Sequence, residues 1–466
     1  MSTGCGRPID EAALRHDPQE TLRLAERAVA LSEAAGATEA EALVVASDEA
    51  LTRFANSEIH QNVVSTESLL NLRFVIGRRV AVVSTDRTDD EALRALVERA
   101  AAIAANVEEN EEWAGLPSAA ESPAPQPLPA AYAIGTAEAS PELRAEGARA
   151  VIAASDAAGV TAFGSFSTSV ESFAVANSRG IRAAELRSSA QLLTVTMGPD
   201  DGTGYAERCA VDATAIDAAA IGREAAERAR ASANPVELEP GDYPVVLEPY
   251  AVLDVLDMLG YLGFSALAVQ EGRSFFEPGR RVGSPLVTIV DDGRDPEGLA
   301  MGFDAEGVAK QQRTLLDAGV CRDIVYDRQT AARAGIPSTG HGLPAPNPYG
   351  PFPANMVMAP GTASREELIG GLERGLLVTR FHYTNPVHGK KVVITGMTRD
   401  GTFLVEQGKI VGPVRNLRFT ESYLDVLDAV AAVSSDRICI RGFLGGSVVP
   451  AVRLSAFAFT GATRKG

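Results

Sequence analysis

Residues 160–197 read VTAFGSFSTSVESFAVANSRGIRAAELRSSAQLLTVTM. Apolar and polar side chains alternate on both sides of Ser178-Arg179-Gly180, the period of two expected for long antiparallel strands joined by a turn. Helical patterns flank this run, at residues 143–157 and 213–233. The same grammar occurs earlier in the chain. Asp17-Pro18-Gln19-Glu20 is a helix start: Asp caps, Pro fits the first turn and Glu reaches back to the cap. Leu24, Ala28, Leu31 and Ala35 then share a face, and Gly36 stops the helix. Strand-like runs follow at 41–46, 63–76 and 79–84, with Gly77 at a turn, and Thr88-Asp89-Asp90-Glu91 opens a helix carrying Leu93, Leu96, Val97, Ala100 and Ala104 on one side. Phe54-Ala55-Asn56-Ser57 and Val175-Ala176-Asn177-Ser178 hold comparable places in the two units, too little by itself to establish a duplication.

The chain therefore reads as α+β: two helix/antiparallel-strand units, then a β-rich C-terminal domain. Residues 1–114 form the first unit, 115–135 an Ala/Pro-rich linker, 136–235 the middle unit and 236–466 the C-terminal domain. In the last, helices are expected at 251–261, 365–374 and 422–433, and the five prolines between Gly342 and Pro353 require a shaped loop.

Composition excludes several classes. Of 466 residues, 45% are hydrophobic and 22% charged, the balance of a globular chain. Asp and Glu number 61 against 43 Lys and Arg, a net charge of −18, which argues against coating nucleic acid phosphate. Cys5, Cys209, Cys321 and Cys439 include no CxxC pair, so reduced thiols are expected rather than a disulfide framework. Residues 1–17 lack the apolar core of a signal peptide and no stretch is long and apolar enough to span a bilayer. A cytoplasmic location without membrane contact is the expectation.

No GxSxG, GxxxxGK, GxGxxG or HExxH spacing is present. Three of the five histidines, His341, His382 and His388, fall in one region. In His382-Tyr383-Thr384-Asn385-Pro386-Val387-His388 an Asn-Pro turn would bring two imidazoles together; a polar hairpin with ordinary surface histidines is the simpler reading. Asp304-Ala305-Glu306-Gly307 reads as a turn, and Cys439, in an alternating strand, as a buried thiol.

Several segments, in order, resemble the TldD/PmbA family, also described as modulators of DNA gyrase. They are Thr288-Ile289-Val290-Asp291-Asp292-Gly293, Phe303-Asp304-Ala305-Glu306-Gly307, residues 312–320, Pro337-Ser338-Thr339-Gly340-His341, Asn355-Met356, Glu366-Glu367-Leu368-Ile369, residues 375–379 and residues 405–414, with residues 53–61 resembling the family's opening strand. The family has a TldD kind of subunit, a metallopeptidase with HExxxH on a helix early in the C-terminal domain and a later Cys ligand. Its TldE (PmbA) kind lacks these ligands and pairs with TldD. Here the matching stretch is Val255-Leu256-Asp257-Met258-Leu259-Gly260-Tyr261-Leu262, with Asp257 and Leu262 at the places of the two histidines and Met258 at that of the glutamate. No histidine occurs between His60 and His341, and Cys439 lies a few residues from the place of the Cys ligand.

The resemblance implies a TldE-like, metal-free subunit of a heterodimeric TldD-type metallopeptidase or amide hydrolase, not itself catalytic. It would help to form the substrate channel for peptide or natural-product (antibiotic) maturation. Zinc is expected in the TldD-like, HExxxH-bearing partner and no cofactor in this chain; a homodimer is the alternative when the partner is absent. The loop 338–355 and the segment 381–388 are expected to lie together at the channel, with His341, Asn355, His382, Tyr383 and His388 touching substrate and no metal ligands. Two alternatives stand beside this: a hydrolase working through His341, His382 or His388, and a non-enzymatic regulatory binding protein.

Overall fold

The computed structural model describes residues 13–122, 124–126 and 128–462; Cys5 lies outside them. The first unit is α1 (Pro18–Ala34), β1 (Glu39–Ala55), β2 (Glu58–Ile76), β3 (Arg79–Thr85) and α2 (Asp90–Asn106). The second is α3 (Ile134–Ala137), α4 (Pro141–Ala157), β4 (Thr161–Asn177), β5 (Arg182–Met197), β6 (Thr203–Ala210) and α5 (Ala218–Ala231). Both units run helix, three antiparallel strands, helix. They share one sheet, ordered β3-β2-β1-β4-β5-β6, because the two first strands pair antiparallel from Glu41↔Asn177 to Phe54↔Gly164.

Period two then sorts the sheet into faces. Even-numbered side chains such as Ala42, Val44, Leu72, Phe74, Phe166 and Leu192 are buried beneath the helices. Odd-numbered Leu43, Phe173, Val175 and Ala183 pack against Phe303 and Ala305 of the C-terminal domain. Asp17 caps α1 through Gln19, and α2 buries all five expected residues. Its cap is Asp89 rather than Thr88. On α1 the buried stripe includes Leu24, Ala25, Ala28, Val29 and Ser32, whereas Leu31 is half-buried and Ala35 exposed. The helix touches both β1 and β4, with Thr21 bonded to Ser172 at 2.7 Å, and this double contact rotates its inner face.

The C-terminal elements are β7 (Gly241–Leu247), α6 (Pro249–Leu262), α7 (Ala266–Gln270), β8 (Ile289–Asp291), β9 (Arg313–Asp317), β10 (Val320–Cys321), α8 (Arg328–Ala334), β11 (Met356–Met358), α9 (Arg365–Gly370), β12 (Arg374–His388), β13 (Val393–Glu406), β14 (Lys409–Pro413), β15 (Leu417–Ser422), α10 (Tyr423–Asp428), β16 (Val430–Arg441) and β17 (Gly446–Ala462). Five strands close a circuit: β7 pairs β12, β12 pairs β13, β13 pairs β15, β15 pairs β17, and β17 returns to β7. Val246, Leu377, Phe403 and Val405 meet Leu368, Ile369 and Leu372 beside α9. Val245, Leu247, Leu376, Val378 and Leu454 join the core that holds α6. All of α6 is buried except Pro249, Asp254 and Tyr261, as befits a helix that is apolar nearly all round. Phe381, Phe419, Phe457 and Phe459 form an aromatic cluster, with Phe381 4.6 Å from Phe419 and Phe457 4.9 Å from Phe459.

Three expected elements differ. The helix expected at 365–374 ends at Gly370, and Arg374 opens β12. The helix expected at 422–433 ends at Asp428, because Val430 and Val433 pair with β17 opposite Leu454 and Val452. The turn expected at Asn385-Pro386 is a continuation of β12: Asn385 faces Thr395 and Pro386 faces Ile394, after a bulge in which Tyr383 adopts φ 53°. Asp304–Gly307 is a turn as read, with Gly307 N–H donating to Asp304 O at 3.0 Å.

Phe457→Ala should lower stability by about 3–5 kcal/mol through loss of the aromatic cluster. Tyr383→Ala, at an exposed side chain, should stay within about 0.5 kcal/mol. Urea unfolding checks both.

Candidate functional site: the cleft between the six-stranded sheet and the C-terminal domain

The odd-numbered face of the sheet changes character along its strands. Leu43, Val45, Phe173 and Val175 give way to Glu49 and Leu51 on β1, Ser167, Ser169 and Glu171 on β4, and Arg187, Ser189 and Gln191 on β5. Register aligns them in rows, Leu51–Ser167–Gln191 and Glu49–Ser169–Ser189. Over the apolar half the C-terminal domain seats Phe303 and Ala305 directly. Over the polar half it stands off, leaving a cleft of about 420 Å³ whose opposite wall includes Leu299, Met301, Asn355, Arg441 and Leu444. The wall is pinned at one edge. Gly302 N–H donates to both oxygens of Glu185 at 3.1 Å, and Arg187, stacked 4.0 Å over the Phe173 ring, donates to Phe303 O at 3.0 Å. Burial pushes the Glu171 carboxyl up, partly opposed by Arg187 and reinforced by Glu185 and Glu49.

Asn355 is the expected site residue that lines this cleft. Its Nδ2 donates to Leu299 O at 2.8 Å and its N–H to Asp291 Oδ2 at 2.8 Å, while its buried Oδ1 has no protein partner. His341 stands behind it. His341 Nε2 lies 2.8 Å from Asp291 Oδ1, its Nδ1 2.9 Å from Thr339 Oγ1, and Lys310 Nζ is 3.1 Å from Asp291 Oδ1. Burial alone would raise Asp291, but Lys310, His341 and the Asn355 N–H outweigh it and hold the carboxyl well below its usual range. Burial and Lys310 lower His341, so the ring is neutral, donating from Nε2 to Asp291 and accepting from the Thr339 hydroxyl at Nδ1. His341 thus has a fully buried side chain with both nitrogens engaged, and it shares the Asp291 carboxylate with the Asn355 N–H.

His382, Tyr383 and His388 lie elsewhere, at the end of β12. Tyr383 is 73% exposed and sits edge-on to His382 at 4.6 Å. Burial, then Arg399 and Arg380, lower His382. His388 Nδ1 accepts from Lys391 N at 3.3 Å. Among the described residues no hydrogen bond or ion pair joins these three to His341 or Asn355. Helix α6 lies between the two sets: Thr384 Oγ1 donates to Asp254 Oδ2 at 2.7 Å, while the chain at Pro353 and Met356 packs at Gly260.

On α6, Asp254 Oδ1 also accepts from Tyr423 OH at 2.5 Å, and burial pushes its carboxyl up to about 6 despite these donors. Asp257 is raised to about 7, by burial first, with the Phe443 N–H opposing and Asp254 adding. Asp257 abuts Gly442, where an added Cβ would lie 2.7 Å from its Oδ1; Leu444 and Gly445, just beyond, form part of the cleft wall. Tetrahedral zinc asks for three protein ligands and an open position. Asp254 is tied to two hydroxyls, Met258 and Leu262 carry no ligand atom of that kind, and among the described residues no three His, Cys, Asp or Glu side chains are placed to hold a metal ion together. These residues do not fit a catalytic zinc.

A larger cavity, about 610 Å³, lies between α5 and the closed circuit. Five of its charged side chains pair with one another: Arg228 sits between Glu224 and Glu248, Arg365 pairs with Glu248 and Arg208 with Glu224, while Arg223, Glu227 and Asp436 also line it. Between the two cavities runs β16, with Ile438 on one and Arg441 on the other. Cys439 there meets Cys209 of β6, Sγ to Sγ 3.1 Å, a contact between residues 230 apart that the sequence did not signal. That contact, with burial, pushes the Cys209 thiol up.

Residues 40–104, 135–233 and 240–461 match, in turn, domain 1, the central domain and the C-terminal domain of the PmbA/TldA metallopeptidases. The chain belongs to the TldD/PmbA family. It is similar to the metalloprotease TldD homolog of Buchnera aphidicola (30% identical over 165 residues, 34% of this chain and 33% of the relative). It is also similar to the zinc metalloprotease TldD homolog of Saccharolobus solfataricus (26% over 218 residues, 44% and 46%). The matched stretches thus span a third to about half the length of these relatives. TldE from Thermococcus kodakarensis has the same fold, with a TM-score of 0.86 at 20% identity over 94% of this chain and 100% of that one. Among the described residues no helix is long and apolar enough to cross a membrane.

Because Asp257 is raised in the folded chain above its unfolded value, folding takes up a proton between pH 4 and pH 7. That contribution is favourable below the unfolded pKa and is lost as pH rises through about 7. Asp257→Asn should therefore gain stability relative to the parent as pH goes from about 4 to about 8. Unfolding midpoints at three pH values measure the difference.

Proposed function

We propose that this chain is a metal-free, TldE-like subunit that completes the peptide channel of a TldD-like, HExxxH-bearing, zinc-holding partner in a heterodimeric hydrolase. The observation that carries the reading is the makeup of α6. In a metallopeptidase family, that helix here presents Asp254, Asp257, Met258 and Leu262 and no histidine, while the next histidine in the chain, His341, is locked in a buried network. The open cleft supports a binding role. Ser167, Ser169 and Ser189 each offer a hydroxyl that donates or accepts. Such groups suit the main chain of an extended peptide, where backbone hydrogen bonds give affinity with little side-chain selectivity. An amide in a peptide-like natural product, such as an antibiotic precursor, presents the same groups. Without the partner, pairing of two copies of this chain is the alternative assembly.

Elemental analysis of the purified chain should find no stoichiometric zinc, and the chain alone should not cleave unfolded peptides. Mixed with a TldD-like subunit it should form a heterodimer by light scattering, and cleavage should appear. Ser169→Trp, which fills the cleft, should leave assembly intact and reduce kcat/KM at least about tenfold, a loss near 1.4 kcal/mol of transition-state binding. One tightly held zinc per chain, or full activity of the isolated chain, would overturn the assignment.

A further inference from the structure

Cys209 and Cys439 belong to different domains. Cys209 is on β6, the edge strand of the six-stranded sheet, and Cys439 is on β16 of the C-terminal domain. Their sulfurs are 3.1 Å apart, and a disulfide needs about 2.05 Å, so closure asks for roughly 1 Å of side-chain movement. Cys209 is buried and Cys439 only half-buried, so Cys439 is the more exposed member of the pair and Cys209 lies against it. Its surroundings connect it to the cleft. Cys209 lies opposite Gln191, which lines the cleft. Two residues beyond Cys439, Arg441 donates from its N–H to Glu207 at 3.3 Å and from Nη2 to Ser189 Oγ at 2.9 Å. Cys321, by contrast, is buried with no neighbouring thiol among the described residues.

We propose that Cys209 and Cys439 form a reversible oxidation site that closes to a disulfide and clamps the six-stranded sheet to the C-terminal domain at one end of the cleft. The oxidant is a small peroxide. The Cys439 sulfur attacks one peroxide oxygen, the O–O bond breaks, and a sulfenic acid forms with release of one water. The Cys209 sulfur then attacks the sulfenic sulfur, the S–O bond breaks, and the departing oxygen leaves as a second water carrying the thiol proton. Two thiols lose two hydrogens and one hydrogen peroxide becomes two waters. A dithiol reductant reverses the bond by exchange. The inference stands independently of any partner or substrate.

The test uses the full chain treated with hydrogen peroxide, quenched by alkylation under denaturing conditions and mapped by mass spectrometry without reductant. The expected product joins the Cys209 and Cys439 peptides, two hydrogens lighter than their sum, and disappears with dithiothreitol. Cys321 should remain alkylated. Oxidation should raise Tm, since a cross-link between distant residues restricts the unfolded chain, and Cys439→Ser and Cys209→Ser should each abolish both the product and the shift. Recovery of Cys209 fully alkylated after oxidation, a sulfinic Cys439 without the cross-linked peptide, or cross-links only between molecules would each overturn the proposal. Because the mapping is done on the unaltered sequence, a variant that fails to fold leaves the result decisive.

Discussion

The fold turns on the burial of helix α6. Its apolar residues face every direction, so no single sheet face could cover it, and the return of β17 to β7 closes the circuit that helps to do so. Closure also fixes the chain segments around the helix. Thr384 of β12 and Tyr423 of α10 reach Asp254, and the Gly442–Gly445 turn between β16 and β17 reaches Asp257. Two carboxyls carried into an apolar setting keep their protons to higher pH than they would in water. A helix that in a metallopeptidase would present ligands here presents acids bound to hydroxyls and a backbone N–H.

The second organising contact is the antiparallel pairing of β1 with β4. It merges two units of identical element order into one sheet and sets which side chains face the C-terminal domain. The apolar half of that face makes a dry seat for Phe303, and the polar half makes the cleft. Contact and gap arise from one pattern of alternation, changed partway along each strand. The buried ion pair of Asp291 and Lys310, with the neutral His341 ring bonded to the same carboxylate, then holds Asn355 at the cleft wall, so a cluster remote from solvent determines how an accessible surface is shaped.

Much of this was legible in the sequence. The long strands around Ser178-Arg179-Gly180, the cap at Asp17, the buried side of α2 and the turn at Asp304–Gly307 are local features, and local spacing was enough. What escaped was set by distant partners. The inner face of α1 is rotated by β4, the end of α10 is taken over by pairing with β17, and Asn385-Pro386 is drawn into a strand by β13. Among the candidate residues, Asn355 lines the cleft with His341 behind it, whereas His382, Tyr383 and His388 share β12, a placement set by strand pairing rather than by nearness in sequence to His341. The change from Val45 to Ser47 and Glu49 was visible as letters, but its meaning appears only once β1, β4 and β5 are in register.

The crowding at Gly442 also sets a limit on how this chain could change its chemistry. The backbone there approaches the Asp257 carboxyl so closely that not even a methyl group fits between them. A bulkier residue at 257 would have to point away from the turn at 442–445 or push against it, and that turn carries part of the cleft wall. The two positions, one on α6 and one between β16 and β17, therefore limit each other's size although they lie far apart in the sequence.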